Sequence, residues 1–329
     1  MSLFSQITLY LKVYSLRFLA SIASFLDRCC SSPAPVKHNF TVSIPTTLRK
    51  QPGKIALLFY TPESYQKKHR YPLIVNFHGG GYSIGSASDD ARWAAHVTNR
   101  LNAVFVSVDY GLAPEHPYPT AIGDGVDAIR WLWSYADEHG LDSKRTVITG
   151  FSAGGTLSLV TPLRLHAEMK SSPSPADAVG RIAGVVAFYP GLDWTQTRAE
   201  RTASNPISAT NGSIPPLLYE LFDCSYLGFE HAQLDRGSPY LSPGRAEAAL
   251  LKSALPQRMA LYSCEWDQLL VEEEAFRERL KGLGKAVGGR MVQGVPHGFD
   301  KKPTLRGGNV KRDEMYEDAI KEMEKMLEM

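Results

Sequence analysis

From residue 39 onward, short continuous apolar runs alternate with longer stretches whose apolar residues recur at helical spacing. The runs predict strands at Asn39–Ile44, Ile55–Tyr60, Pro72–Phe77, Ala103–Val108, Arg145–Thr149, Ile182–Tyr189, Arg258–Ser263 and Arg290–Gln293. The periodic stretches predict helices at Asp89–Asn102, Ala121–His139, Ala153–Met169, Leu269–Leu283 and Asp313–Met329. Ala103–Val108 is apolar throughout and rich in valine, as strands covered on both faces of a parallel sheet tend to be. Such alternation predicts an α/β fold: a mostly parallel, eight-stranded sheet flanked by helices. Met315, Ala319, Met323 and Leu327 share one side of the last helix, a pattern read as core packing.

Two segments break the rhythm. Thr195–Ala254 carries Pro206, Pro215, Pro216, Pro239 and Pro243 around a short aromatic helical piece, Leu217–Phe222. An insertion placed beyond a strand end in this way is expected to act as a lid. Residues 1–38 precede the alternating pattern, leaving 39–329 as one domain. Within them Phe4, Ile7, Leu11, Tyr14, Phe18, Ile22 and Phe25 share a helical face, with Ser5, Thr8, Lys12, Ser15 and Ser24 turned elsewhere. The expectation is an amphipathic helix packed on the body of the protein; peripheral membrane contact and a cleaved signal are its alternatives. Lys12 and Arg17 interrupt any apolar run of roughly 20 residues, the length a membrane span requires.

Composition narrows the function classes. The chain has 329 residues, of which 43% are hydrophobic, enough for a large core. Its 36 basic and 34 acidic residues leave a formal charge of +2, with no long basic run, which argues against a nucleic-acid partner. Cys29, Cys30, Cys224 and Cys264 lack metal-ligand or disulfide-framework spacing and suit a reducing, cytoplasmic location. The triplets Asn39-Phe40-Thr41 and Asn211-Gly212-Ser213 would matter only in a secreted chain.

The chemistry centres on Gly150-Phe151-Ser152-Ala153-Gly154, between a β-branched run and a helical pattern. A serine at such a corner is lifted out of the sheet on a strained turn, and the flanking glycines leave room for it. Acyl transfer by that serine needs a base, an acid to orient the base, and donors for the oxyanion. His78-Gly79-Gly80-Gly81 follows a strand directly, and backbone amides there can be aimed at developing negative charge. Of nine histidines, His297 is the expected base, because Val295-Pro296-His297-Gly298-Phe299 lies just past the final predicted strand. His96, His139 and His166 fall within helical segments and His116 shortly before one; His38, His69 and His231 have no strand-end placement. Asp267, after the strand at 258–263, is the expected acid, and Asp193 is its rival. Glu265, Glu272, Glu273 and Glu274 are expected at a helix start and on its solvated side.

Together these motifs resemble the hormone-sensitive-lipase-like esterases of the α/β-hydrolase fold. His78–Tyr82, Gly150–Gly155 and Asp109–Pro119 are similar to its signature blocks, as are Tyr189–Asp193, Ser238–Pro243 and His297–Phe299. The resemblance spans roughly residues 40 to 300. It implies nucleophile Ser152, acid Asp267 and base His297, oxyanion amides from Gly79, Gly80 and Ala153, and a lid made by the N-terminal helix and the segment after Asp193. The implied enzyme is a carboxylic-ester hydrolase without metal or organic cofactor, acting on a small or medium apolar ester. Tyr82, Trp194, Tyr219, Phe222 and Phe299 are the candidate pocket aromatics. A lyase, cyclase or acyl transferase on the same constellation is one alternative, and a small-molecule receptor is another, although receptors of this fold dispense with the histidine retained here. The family usually carries aspartate at position 151, arginine at 111 and proline at 268, where this chain has Phe151, Gly111 and Gln268. Its tendencies are similar to those of fungal members that tailor secondary metabolites.

Overall fold

The computed structural model describes residues 3–31, 34–212, 214–228, 233–302 and 308–328. Nine strands are found among them: β1 Phe40–Pro45, β2 Lys54–Tyr60, β3 Tyr71–Phe77, β4 Val104–Asp109, β5 Leu141–Phe151, β6 Ile182–Phe188, β7 Arg258–Trp266, β8 Ala286–Gly288 and β9 Met291–Pro296. The expected eight become nine because Ala286–Gly288, too short to show a period, pairs with β7. Strand order is β1-β2-β4-β3-β5-β6-β7-β8, with β9 also on β7. β1–β2 and β2–β4 are antiparallel, and every later pairing is parallel.

The helices are α1 Leu3–Cys30, α2 Ala91–Leu101, α3 Thr120–Ser134, α4 Ala153–Ser171, α5 Pro175–Val179, α6 Arg198–Ser204, α7 Ile207–Asn211, α8 Pro216–Leu227, α9 Ala248–Ala254, α10 Leu270–Gly282 and α11 Val310–Leu327. Alternate residues of the central strands feed two cores, as the period of two requires. Leu73, Val75, Phe77, Ile148 and Val185 pack with α3 and α4. Ile74, Phe105, Val147, Phe151 and Phe188 pack with α2 and α11. Met315, Ala319 and Met323 are fully buried in the second core, as their spacing predicts.

Register brings the strand ends together. Phe77 of β3 pairs with Gly150 of β5, Phe151 with Phe188 of β6, and Phe188 with Tyr262 of β7. The segments that follow, at 78–81, 152–155, 189–193 and 267–269, therefore gather at the carboxyl ends of the central strands, where α/β folds bind ligands.

The N-terminal helix departs from expectation. α1 is packed, but through the opposite side: Leu9 and Val13 bury against Leu221 of α8, while Phe4, Ile7, Leu11, Tyr14, Phe18, Ile22 and Phe25 are all exposed. Polar anchors turn it this way. Arg17 donates to both carboxylate oxygens of Glu115 and to the carbonyls of Ser83 and Ala113. Asp27 accepts two bonds from the Arg92 guanidinium. A second correction concerns α10. Glu272 and Glu273 are buried rather than solvated, because α10 lies between β7 and the insertion, whose Arg201 pairs with Glu272 at 3.0 Å.

Candidate active site

The corner between β5 and α4 sets Ser152 at φ 54° and ψ −118°, a region that costs an ordinary residue about 1–3 kcal/mol. Packing enforces it. A Cβ on Gly150 would overlap the Gly154 carbonyl, one on Gly154 would overlap the Phe77 carbonyl, and the Ser152 amide donates to Phe188 O at 2.9 Å.

Ser152 Oγ lies 2.7 Å from His297 Nε2, and His297 Nδ1 lies 2.5 Å from Asp267 Oδ2. In the tautomer with its proton on Nδ1, the imidazole donates to Asp267 and its Nε2 accepts from the serine hydroxyl. His297 arrives on the loop after β9. Asp267 is 1% exposed, and its Oδ1 accepts from the Leu269 amide at 3.1 Å. The rival Asp193 is spent elsewhere: its oxygens accept from Thr195 and from Arg245 Nε at 2.8 Å. Of the other histidines, His78 stacks on Tyr110 and its Nδ1 lies 2.7 Å from Gly79 O. His139 packs among Phe40, Phe59 and Trp131, and His231 lies outside the described residues.

Gly79, Gly80 and Ala153 line the cavity beside Ser152. Gly80 has φ +107°, and a Cβ there would overlap the Ile84 carbonyl, so glycine is required. Ala153 is the first residue of α4, where amides point outward unpaired by the helix and the dipole favours negative charge.

The cavity holds about 430 Å³. Tyr82, Trp194, Tyr219 and Phe222 line it, whereas Phe299 does not: it is turned into the core with Val295 and Val292. The tight turn at Gly298 (φ 66°) sends His297 and Phe299 to opposite sides. Tyr82 lies face to face with Tyr226 at 3.6 Å, fixing one wall. α1, α6 and α8 also line the cavity, contributing Ala20, Arg198 and Leu218 among others.

Several residues around the site were not singled out from the sequence. Tyr189 stands edge-on to His297 at 4.8 Å, and its hydroxyl donates to Asp300 Oδ1 at 2.5 Å. Tyr316 donates to Asp300 Oδ2 at 2.8 Å. Burial, then the Asp300 charge, pushes the Tyr189 phenol well up, so it stays a neutral donor. Lys301 lies 2.7 Å from Asp90 and 3.1 Å from Asp300. Asn205 donates to the carbonyls of Asp267 and Glu265 at 2.7 and 2.9 Å. Asp300-Lys301-Lys302 directly after His297-Gly298-Phe299 was the available signal: an acid and two bases immediately beyond the apolar Phe299. Asn205 gave none, since its partners are backbone atoms 60 and 62 positions away.

A protein-family model described as alpha/beta hydrolase fold matches residues 74–301. Carboxylesterase NlhH of Mycobacterium tuberculosis is 47% identical over 234 residues, covering 69% of this chain and 66% of that protein. Carboxylic ester hydrolase LipN of the same organism is 29% identical over 293 residues, 88% of this chain and 72% of its own length. The hyperthermophilic esterase of Pyrobaculum calidifontis superposes with a TM-score of 0.76 at 27% identity, covering 95% of this chain and 91% of that one.

Proposed function

Since the chain belongs to the α/β-hydrolase fold family, we propose that this carboxylesterase-type enzyme cleaves small or medium-sized apolar esters through Ser152, His297 and Asp267. The observation that carries the reading is the continuous relay from Ser152 Oγ through the His297 ring to Asp267 Oδ2, at 2.7 and 2.5 Å. Ser152 Oγ attacks the ester carbonyl as its proton passes to His297 Nε2. The oxyanion forms against the Gly79, Gly80 and Ala153 amides; each such donor is typically worth about 3–4 kcal/mol of barrier. His297 then gives the proton to the departing alcohol. Water, deprotonated by the same nitrogen, attacks the acyl-enzyme and releases the acid, and the proton returns to Ser152. Asp267 holds the tautomer throughout and stabilises the imidazolium. The apolar walls at Tyr82, Trp194, Tyr219 and Phe222 support an apolar substrate.

The test is turnover of short p-nitrophenyl acyl esters. Ser152→Ala should lose at least about 10⁴ of kcat, as removal of a triad nucleophile does. A variant turning over at the wild-type rate would refute the mechanism.

A further inference from the structure

The outward side of α1 is a continuous apolar strip. Phe4 is 79% exposed, Leu11 64%, Phe18 66% and Phe25 65%, with Ile7 and Ile22 between them. At 100° per residue these six fall within about 60° of one another, along a helix of roughly 42 Å. Isolated exposed apolar side chains are ordinary, but a strip of this length marks an interaction surface.

Charge says what covers it. Among the described residues, the ion pairs of α1 are Arg17–Glu115 and Asp27–Arg92, both directed at the body. The remaining charges on the helix are cationic, Lys12 and Arg28, and both are exposed. They stand about 100° to either side of the strip, and Arg28 donates to Ser88 Oγ rather than to a carboxylate. A second copy of this strip would bring cations to these cations. An anionic phospholipid surface supplies apolar depth and counter-charge together.

We propose that α1 seats the protein on anionic phospholipid membranes, lying in the plane of the headgroups with its outward side in the acyl boundary. By length and composition the segment Phe4–Cys30 could cross a bilayer. Its tethers decide against that. Spanning would break the four Arg17 bonds to Ser83, Ala113 and Glu115 and bring Lys12 and Arg17 into hydrocarbon, at a cost of kilocalories each. The docking does not depend on the proposed hydrolysis, but it bears on it. The inner side of α1, at Ala20, Ala23 and Ser24, lines the cavity, so the site lies about one helix diameter, ~10 Å, from the lipid. An apolar ester dissolved in the membrane would then reach the site with little exposure to water.

The test is co-sedimentation of the full chain with vesicles of phosphatidylcholine alone and of phosphatidylcholine containing about one-third phosphatidylglycerol. The wild type and Ser152→Ala should bind the mixed vesicles alike, and at least tenfold more tightly than the neutral ones. Leu11→Glu/Phe18→Glu should weaken binding to both by about 100-fold or more, with turnover of a water-soluble p-nitrophenyl ester kept within about twofold. That turnover shows the double variant to be folded. Lys12→Glu, a milder change, should lower binding to the mixed vesicles only. Wild-type protein that ignores both vesicles overturns the proposal, as does a double variant that binds undiminished. A dimer that the double substitution dissolves, without vesicle binding, would assign the strip to a second copy. Bound protein that resists alkaline carbonate extraction would make α1 a span. Loss of esterase activity in every form would leave the vesicle result standing and sink only the hydrolase reading.

Discussion

The Lys301 ammonium lies 3.1 Å from the centre of the Phe151 ring, at the position before Ser152 where the family usually has aspartate. Phe151 is fully buried, stacked on Phe188 at 4.3 Å and edge-on to Trp93 at 6.4 Å. Burial disfavours the ammonium, but Asp300 and Asp90 outweigh it and raise the Lys301 pKa. The serine therefore stands on an aromatic floor covered by a cation. Phe151→Ala would open a cavity under Ser152 and should cost about 3–5 kcal/mol, read as a lower denaturant midpoint. An unchanged midpoint would remove the ring from the support of the site.

Asp267 and Asp193 can be separated by rate. Asp267→Asn leaves the wrong tautomer on His297 and should lower kcat by about 10⁴. Asp193→Asn disturbs contacts to Thr195 and Arg245 and should lower kcat less than about tenfold, since no reacting group is touched. A larger loss in the second variant would transfer the acid role to Asp193.

Asp300 positions rather than reacts. It holds the Tyr189 hydroxyl, and through that ring the edge of His297. Asp300→Asn should reduce kcat by about 10–100-fold with KM nearly constant, the scale of one charged hydrogen bond. A rise in KM at constant kcat would place Asp300 in substrate binding instead.

Glu273 sets a pH dependence of stability. It is 1% exposed, and among the described residues neither carboxylate oxygen has a hydrogen-bond partner. Burial, then the like charges of Asp267, Glu272 and Glu274, pushes its pKa well above the ordinary carboxylate value of 4.5. The folded state thus holds this proton more tightly than the unfolded one, and its contribution to stability falls as pH rises above about 4.5. Glu273→Gln should raise the melting temperature, more at pH 8 than at pH 5. An equal shift at both pH values would show that Glu273 does not titrate differently on folding.

The local patterns carried much of the architecture. The β-branched run, the glycine-flanked Ser152 and the apolar run before His78 each specify their element through adjacent residues, so those strands and the serine corner were legible. Gly111 shows where that legibility ends. The guanidinium expected at 111 is absent, yet Arg49 lies beside Gly111, bonded to Asp124, whose Oδ2 also accepts from the Gly111 amide. A partner 62 positions away leaves no trace in a local window.

By itself, the sequence determined the alternating order of eight strands and five long helices, and it marked Ser152, Asp267 and His297 as one candidate set, because hydrophobic period and turn chemistry act between near neighbours. Only the tertiary structure decided which side of α1 faces inward, that Glu273 is buried and that Phe299 turns to the core. Periodicity reports that a helix has an apolar side, but not which surface receives it. For α1 the choice fell to Glu115, Arg92 and Leu221, distant residues whose pairing with Arg17, Asp27 and Val13 left the most apolar strip of the helix facing outward.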